Sequence, residues 1–371
     1  MRRSPLGPRA TFLLLAAATC AKAPSYGTGA GTGTAGATGG GGAGGDDAVI
    51  AASGLPTSFH WTSTGPLVTA MPDATHPIVS VKDPSVVQFG GRWHLFTTTA
   101  DTSGNWSVIY LSFTDWSEAA AATPFYLNNT PPGLTGYHAA PQVFYFAPQA
   151  KWYLIFQSGQ PQYSTNDDIG NPAGWTQPKN FFATEPPTVL AHKGMGDWLD
   201  FFVICDDSRC HLFFADDNGE FFRSDTDIAS FPMGFGDATI AIQGTKDSLF
   251  EGDAVYHIKG KQAYLAIIEA FGPTGNRYYR SFVAPALDAP WVSLADYWAN
   301  PFASKMNVTF PGGTPWTNDI SHGEMIRDGY DQTLEIDPAN LQLLYQGADP
   351  TKTNVDYSQI PYQLGLLTYG P

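Results

Sequence analysis

Val81-Lys82-Asp83-Pro84-Ser85-Val86-Val87-Gln88-Phe89 leads through Gly90-Gly91 to Trp93-His94-Leu95-Phe96. Two runs of β-branched and aromatic residues joined by a glycine pair read as a hairpin, because glycine accepts the positive φ of a tight turn. The device returns at Gln142-Val143-Phe144-Tyr145-Phe146, which passes Pro148-Gln149 and enters Trp152-Tyr153-Leu154-Ile155-Phe156. Long stretches of helical apolar periodicity are missing from the sequence, so it predicts an all-β protein.

The hairpins repeat as larger units. Units start at Asp83, at Pro141 in Ala140-Pro141-Gln142, at Asp200 before Phe201-Phe202-Val203-Ile204, at Glu251 before Gly252-Asp253-Ala254, and near Asp319. These starts lie between 51 and 68 residues apart, enough for a four-stranded sheet each. Five such sheets around an axis make a five-bladed β-propeller. A two-sheet sandwich is the alternative, but it gives no reason for a polar residue at most unit starts.

The N-terminus reads as a secretory signal over residues 1–23. Arg2, Arg3 and Arg9 precede the apolar run Phe12-Leu13-Leu14-Leu15-Ala16-Ala17-Ala18, and Ala21-Lys22-Ala23 fits a small-x-small cleavage site. The run is too short to span a bilayer, and an uncleaved anchor is the alternative. Residues 24–54, rich in Gly, Thr and Ala, read as a disordered tail, and 55–371 as one catalytic domain. Loss of the signal's four basic side chains takes the formal net charge from −15 to −19. Such a chain repels nucleic acid and anionic membranes and suits a neutral substrate. A soluble extracellular monomer is expected.

Cys20 leaves with the signal, so Cys205 and Cys210 remain, and their spacing across a predicted hairpin turn reads as one local disulfide. His211 alone is too little for zinc. Asn105-Trp106-Ser107, Asn128-Asn129-Thr130 and Asn307-Val308-Thr309 fit the N-glycosylation pattern.

In a propeller the innermost strands line a channel, and residues at their starts converge at one mouth. Asp83, Asp200 and Glu251 stand at three starts among apolar neighbours, where a carboxylate is costly to bury unless paired or protonated. A turn cap is the ordinary role for any one of them. Three at equivalent positions suit inverting glycoside hydrolysis, which needs an ionised carboxylate to activate water and a protonated one to serve the leaving oxygen. A third carboxylate raises the acid's pKa by like-charge repulsion. Order along the chain does not assign the roles.

The motifs resemble glycoside hydrolase family 62 over nearly the whole folded domain. They are Val81-Lys82-Asp83-Pro84-Ser85, Gly136-Tyr137-His138-Ala139-Ala140-Pro141-Gln142, Trp198-Leu199-Asp200, Leu249-Phe250-Glu251-Gly252, Arg277-Tyr278-Tyr279-Arg280-Ser281-Phe282, Trp316-Thr317-Asn318-Asp319-Ile320-Ser321-His322-Gly323-Glu324 and Leu344-Tyr345-Gln346-Gly347. The resemblance implies a five-bladed α-L-arabinofuranosidase that inverts as it removes arabinose from arabinoxylan. By it Asp83 is the base, Glu251 the acid, and Asp200 the residue that tunes and orients the acid. Lys82 and Arg277 then contact the sugar, and Tyr357 belongs to the chain-binding surface. It also implies a structural calcium ion in the channel near His322, although a lone histidine is ordinarily a packed core or surface group and calcium prefers oxygen. Ser158 stands where family members carry a tryptophan, which leaves xylan-chain binding open. A β-xylosidase or endo-arabinanase on the same fold, and a non-catalytic carbohydrate-binding propeller, are the competing readings.

Overall fold

The computed structural model describes residues 43–129 and 133–370. The signal expected at 1–23 lies outside them. The tail expected at 24–54 needs a correction: Ala43–Ser53 is a helix. Its Val49 and Ile50 pack on the main core, and Leu55 is buried there. These apolar side chains lie just past the glycine run, and they give this stretch a surface to bury. Gly54, at φ 68°, ends the helix.

Five sheets form the predicted propeller. The first blade is Ile78–Phe89, Arg92–Asp101, Trp106–Phe113 and Phe125–Tyr126. The second is Ala139–Phe146, Lys151–Gln157, Pro161–Asn166 and Lys179–Asn180. The third is Leu199–Cys205, Arg209–Ala215, Glu220–Asp227 and Thr239–Gln243. Ala254–Ile258, Tyr264–Phe271, Arg277–Ala284 and Val292–Ser293 make the fourth, with Glu335–Ile336 beside its inner strand. The fifth, Ser321–Met325, Gln342–Ala348 and Tyr362–Tyr369, is completed by Trp61–Ser63 from the other end of the folded chain. That pairing closes the ring without a free sheet edge at the seam. Val308–Thr309 pairs beyond it, and the Trp61 indole donates to the Phe302 carbonyl at 2.6 Å.

Neighbouring inner strands are not ladder partners, so their backbone groups need other partners. Side chains supply them blade by blade. Ser85 Oγ accepts the Val143 N–H, and Gln142 bonds both the N–H and the C=O of Val203. Asp200 accepts from Gly252, Tyr256 and Tyr279 hydroxyls accept from Met325 and Gly323, and Glu324 accepts from Val86. Arg327 reaches the carbonyls of Val86 and Val143 at 2.8 and 2.9 Å. Aromatic faces such as Phe144, Phe146, Tyr153 and Phe231 fill the space between blades.

Cys205 and Cys210 form the predicted disulfide at the turn of the third blade. Asn307 is a structural asparagine: its Nδ2 donates to the carbonyls of Phe59, Pro301 and Phe302. Asn105 is exposed, and Thr130 of the remaining triplet lies outside the described residues.

Candidate active site

A strand that simply alternated would send every second side chain into a blade interface. The inner strands break that alternation at matching points. The register shifts between Lys82 and Ser85, Ala139 and Gln142, Leu199 and Phe202, and Ser321 and Gly323. Asp83, Ala140 and Asp200 sit at φ 48°, 47° and 58°, and Gly252 at 65°. Such bulges re-aim side chains, and here they turn them to one channel mouth. In the fifth blade the bulge falls at His322, so this residue, and not Asp319, is the equivalent of Asp83 and Asp200. Asp319 accepts the Arg277 N–H at 2.9 Å.

The structure brings Asp83, Asp200, Glu251, Lys82, Arg277, Tyr357 and His322 together. His322 Nδ1 lies 3.4 Å from Asp83 Oδ1 and 3.6 Å from Asp200 Oδ2. Burial works against its protonation, but Asp200, Asp83, Glu269 and Glu251 outweigh it and raise its pKa. Asp83 is held by its own N–H, donated to Gln346 Oε1 at 2.7 Å. Lys82 Nζ lies 3.7 Å from Asp83 Oδ1, donates to the Tyr357 hydroxyl at 2.9 Å and sits 4.0 Å above the Trp106 ring.

Asp200 has two anchors. Its N–H donates to Gln157 Oε1 at 2.9 Å, and its Oδ2 accepts the N–H of Gly252, next to Glu251, at 2.7 Å. Burial first, and then Glu251 and Asp83, push its carboxyl up to about 6 against the pull of His322. Glu251 Oε1 is paired with Arg277 Nη1. The guanidinium lies within 5.0 to 5.7 Å of the Phe250, Phe271 and Tyr357 ring centres. Ser158 follows Gln157, whose amide also donates to the Tyr137 hydroxyl at 2.6 Å. Tyr137 and Tyr357 are among the exposed large rings.

Several residues of the site went unassigned in the sequence. Gln346 stood in a quoted motif without a role. Trp106 was read only as the middle of a glycosylation triplet. Glu269 was passed over, although a single Glu in Tyr264-Leu265-Ala266-Ile267-Ile268-Glu269-Ala270-Phe271 signals a buried charge. Asp217, at φ 56°, is pushed up to about 9 by burial and by Glu251 and Asp200. Its loop between two strands of the third blade gave no sign of reaching the site.

A cavity of about 20 Å³ opens among the inner strands, bordered by Asp200, Asp253, His322, Gln142 and Glu324. It has room for one water or small ion. Among the described residues, no three His, Cys, Asp or Glu side chains are set to hold a metal directly. Asp253 is nonetheless buried with both carboxylate oxygens unpartnered. Buried carboxyl oxygens beside a water-sized space fit a calcium ion held largely through water.

Two carboxyls stand at one channel mouth, one gripped by a guanidinium and the other beside an imidazole, and a pair of carboxyls is what glycoside hydrolysis requires. The model of glycosyl hydrolase family 62 matches residues 60–368, and the chain belongs to that family. It is 41% identical over 318 residues to alpha-L-arabinofuranosidase C of Cellvibrio japonicus, covering 84% of this chain and 47% of that protein. The chain thus spans about half the length of that relative. The catalytic domain of the Coprinopsis cinerea GH62 alpha-L-arabinofuranosidase is 51% identical, with a TM-score of 0.82 over 85% of this chain and 98% of the other. A GH62 hydrolase in complex with xylotriose is 43% identical, with a TM-score of 0.80 over 84% and 98%.

Proposed function

We propose that the chain is a secreted, inverting α-L-arabinofuranosidase that frees arabinose side groups from arabinoxylan. The observation that carries this reading is the convergence on one channel mouth of Asp83 and Asp200, turned there by matching bulges, and of Glu251, whose neighbour Gly252 bonds Asp200. Relatives named as arabinofuranosidases, and one solved with a xylan fragment, support the choice of sugar.

Asp83 takes a proton from water, whose oxygen bonds to the anomeric carbon of arabinose. The bond from that carbon to the xylose oxygen breaks, and Glu251 gives its proton to the leaving oxygen. Product and substrate then have opposite anomeric configuration. Asp200 holds the Gly252 N–H and its charge opposes ionisation of Glu251. Lys82 and Arg277 bind the sugar hydroxyls, and Tyr357 offers its ring to the xylan chain.

A calcium ion in the channel would be held by His322 and by waters facing Asp253, and it would supply fixed positive charge under the carboxylates. The acidic surface excludes nucleic acid and anionic membranes as partners. No helix among the described residues is long and apolar enough to cross a membrane. The enzyme acts as a monomer.

Digestion of arabinoxylan and linear arabinan, with products identified and their anomeric form followed, tests the reading. Free arabinose of inverted configuration from arabinoxylan is expected. Xylose or arabinan oligomers point to the related glycosidases, and binding without release to a carbohydrate-binding module.

A further inference from the structure

Glu269 is wholly buried on the second strand of the fourth blade, directly under Glu251. Its N–H donates to the Glu251 carbonyl at 2.9 Å, and its carbonyl accepts the Phe250 N–H at 2.9 Å. The residue after Glu251 is Gly252, where a Cβ would come within 2.5 Å of Glu269 Oε1. The carboxyl thus occupies the space that any other residue's side chain would need there. Its two oxygens have different work. Oε1 accepts from the Ser321 hydroxyl at 3.1 Å and from the His322 backbone N–H. Oε2 accepts from Arg277 Nη1 at 3.0 Å, and the same Nη1 is paired with Glu251 Oε1.

One guanidinium therefore stands between two carboxyls, with Glu269 wholly buried and Arg277 and Glu251 largely so. Three donors, the Ser321 hydroxyl, the His322 N–H and Arg277 Nη1, fix the Glu269 carboxyl in one orientation. Without this second partner the guanidinium has one fewer carboxyl to fix its place beside Glu251.

We propose that Glu269 is a positioning residue for the acid step: it holds Arg277 Nη1 and so fixes the guanidinium against Glu251 Oε1, leaving Oε2 to face the leaving oxygen. This rests on Glu251 being the acid, as set out above. Glu269 itself touches neither sugar nor water.

The experiment compares wild type, Glu269→Gln, Glu269→Asp and Glu251→Gln on arabinoxylan and on an aryl α-L-arabinofuranoside with an activated leaving group. An activated phenolate departs without a proton, so only the polymer needs the acid. Glu269→Gln keeps an acceptor for His322 and Ser321 but turns an amide N–H toward Arg277. Its kcat on arabinoxylan is expected to fall about 10–100-fold, with KM within about 3-fold, and its kcat on the aryl substrate by less than about 3-fold. Glu269→Asp, which keeps the carboxyl, restores part of the loss, and it shows the same split in milder form if the Gln variant does not fold. Equal losses on both substrates, or a lowered melting temperature with unchanged kcat on the polymer, overturn the proposal. If Glu251→Gln releases arabinose like wild type, the assignment of the acid itself fails, whatever Glu269 variants do.

Discussion

Asp200 serves the fold and the chemistry at once, and two substitutions separate these tasks. Its Oδ2 is the acceptor for the Gly252 N–H, the link between the third and fourth blades at 2.7 Å, and its backbone sits at φ 58°. Asn offers an oxygen in the same place and tolerates left-handed backbone well. Ala leaves the buried N–H without a partner, at about 1–3 kcal/mol, and adds part of the roughly 1–2 kcal/mol cost of left-handed backbone. Asp200→Ala is therefore expected to lose about 3 kcal/mol of stability, and Asp200→Asn to stay within about 1 kcal/mol of wild type. Both remove the charge that opposes ionisation of Glu251, so both should lose about 100-fold or more in arabinose release. Urea melts at pH 7 give the first quantity, and sugar analysis of digested arabinoxylan the second. Equal stability of the two variants refutes the inter-blade link. Full activity in Asp200→Asn refutes the tuning role.

Asp216 is fully buried, its Oδ1 accepts the Glu220 N–H at 3.1 Å, and burial first, then the neighbouring Glu220 carboxyl, push it up to about 6. A raised carboxyl favours the folded state while protonated, so this contribution is present below about pH 4 and is lost as pH rises through about 6. At about 1.4 kcal/mol per pH unit the loss approaches roughly 3 kcal/mol by pH 8. Asp216→Asn, which cannot ionise, should flatten that part of the stability curve in melts between pH 4 and 8, and an unchanged slope counts against the raised Asp216 carboxyl. Gly252→Ala places a methyl group against Glu269 at a φ of 65°. It should cost about 2 kcal/mol or more and lower arabinose release, measured by melting and by digestion. Ser158→Trp adds a ring beside Gln157 and Tyr137 at the rim, and a stacking gain of about 1 kcal/mol should lower KM for arabinoxylan about 5-fold. Activity on a small aryl arabinofuranoside should not change.

Paired runs of β-branched and aromatic residues joined by turn residues make the blades legible in the sequence. Repetition made the unit starts legible, since three carry a carboxyl in apolar company. The helix at Ala43–Ser53 was lost to the glycine-rich composition just before it, which masked a short apolar stretch. The sequence places the fifth start near Asp319, whereas the bulge falls three residues on, at His322. The apolar run marks Glu269 as a buried charge, but it lies on a second strand, outside the repeat positions, so nothing in the sequence ties it to the site.

The sequence by itself determined the strands, their grouping into five units and the residue types at each start, because these depend on local patterning and turn chemistry. Only the tertiary structure decided where those residues point and what each one touches. Bulges at matching points turn Asp83, Asp200 and His322 to one mouth, and a ring of side chains, Asp200 among them, ties strands that share no ladder. Glu269, Arg277 and Glu251 come from three places along the chain, and their joint charge exists only once the fourth blade has folded.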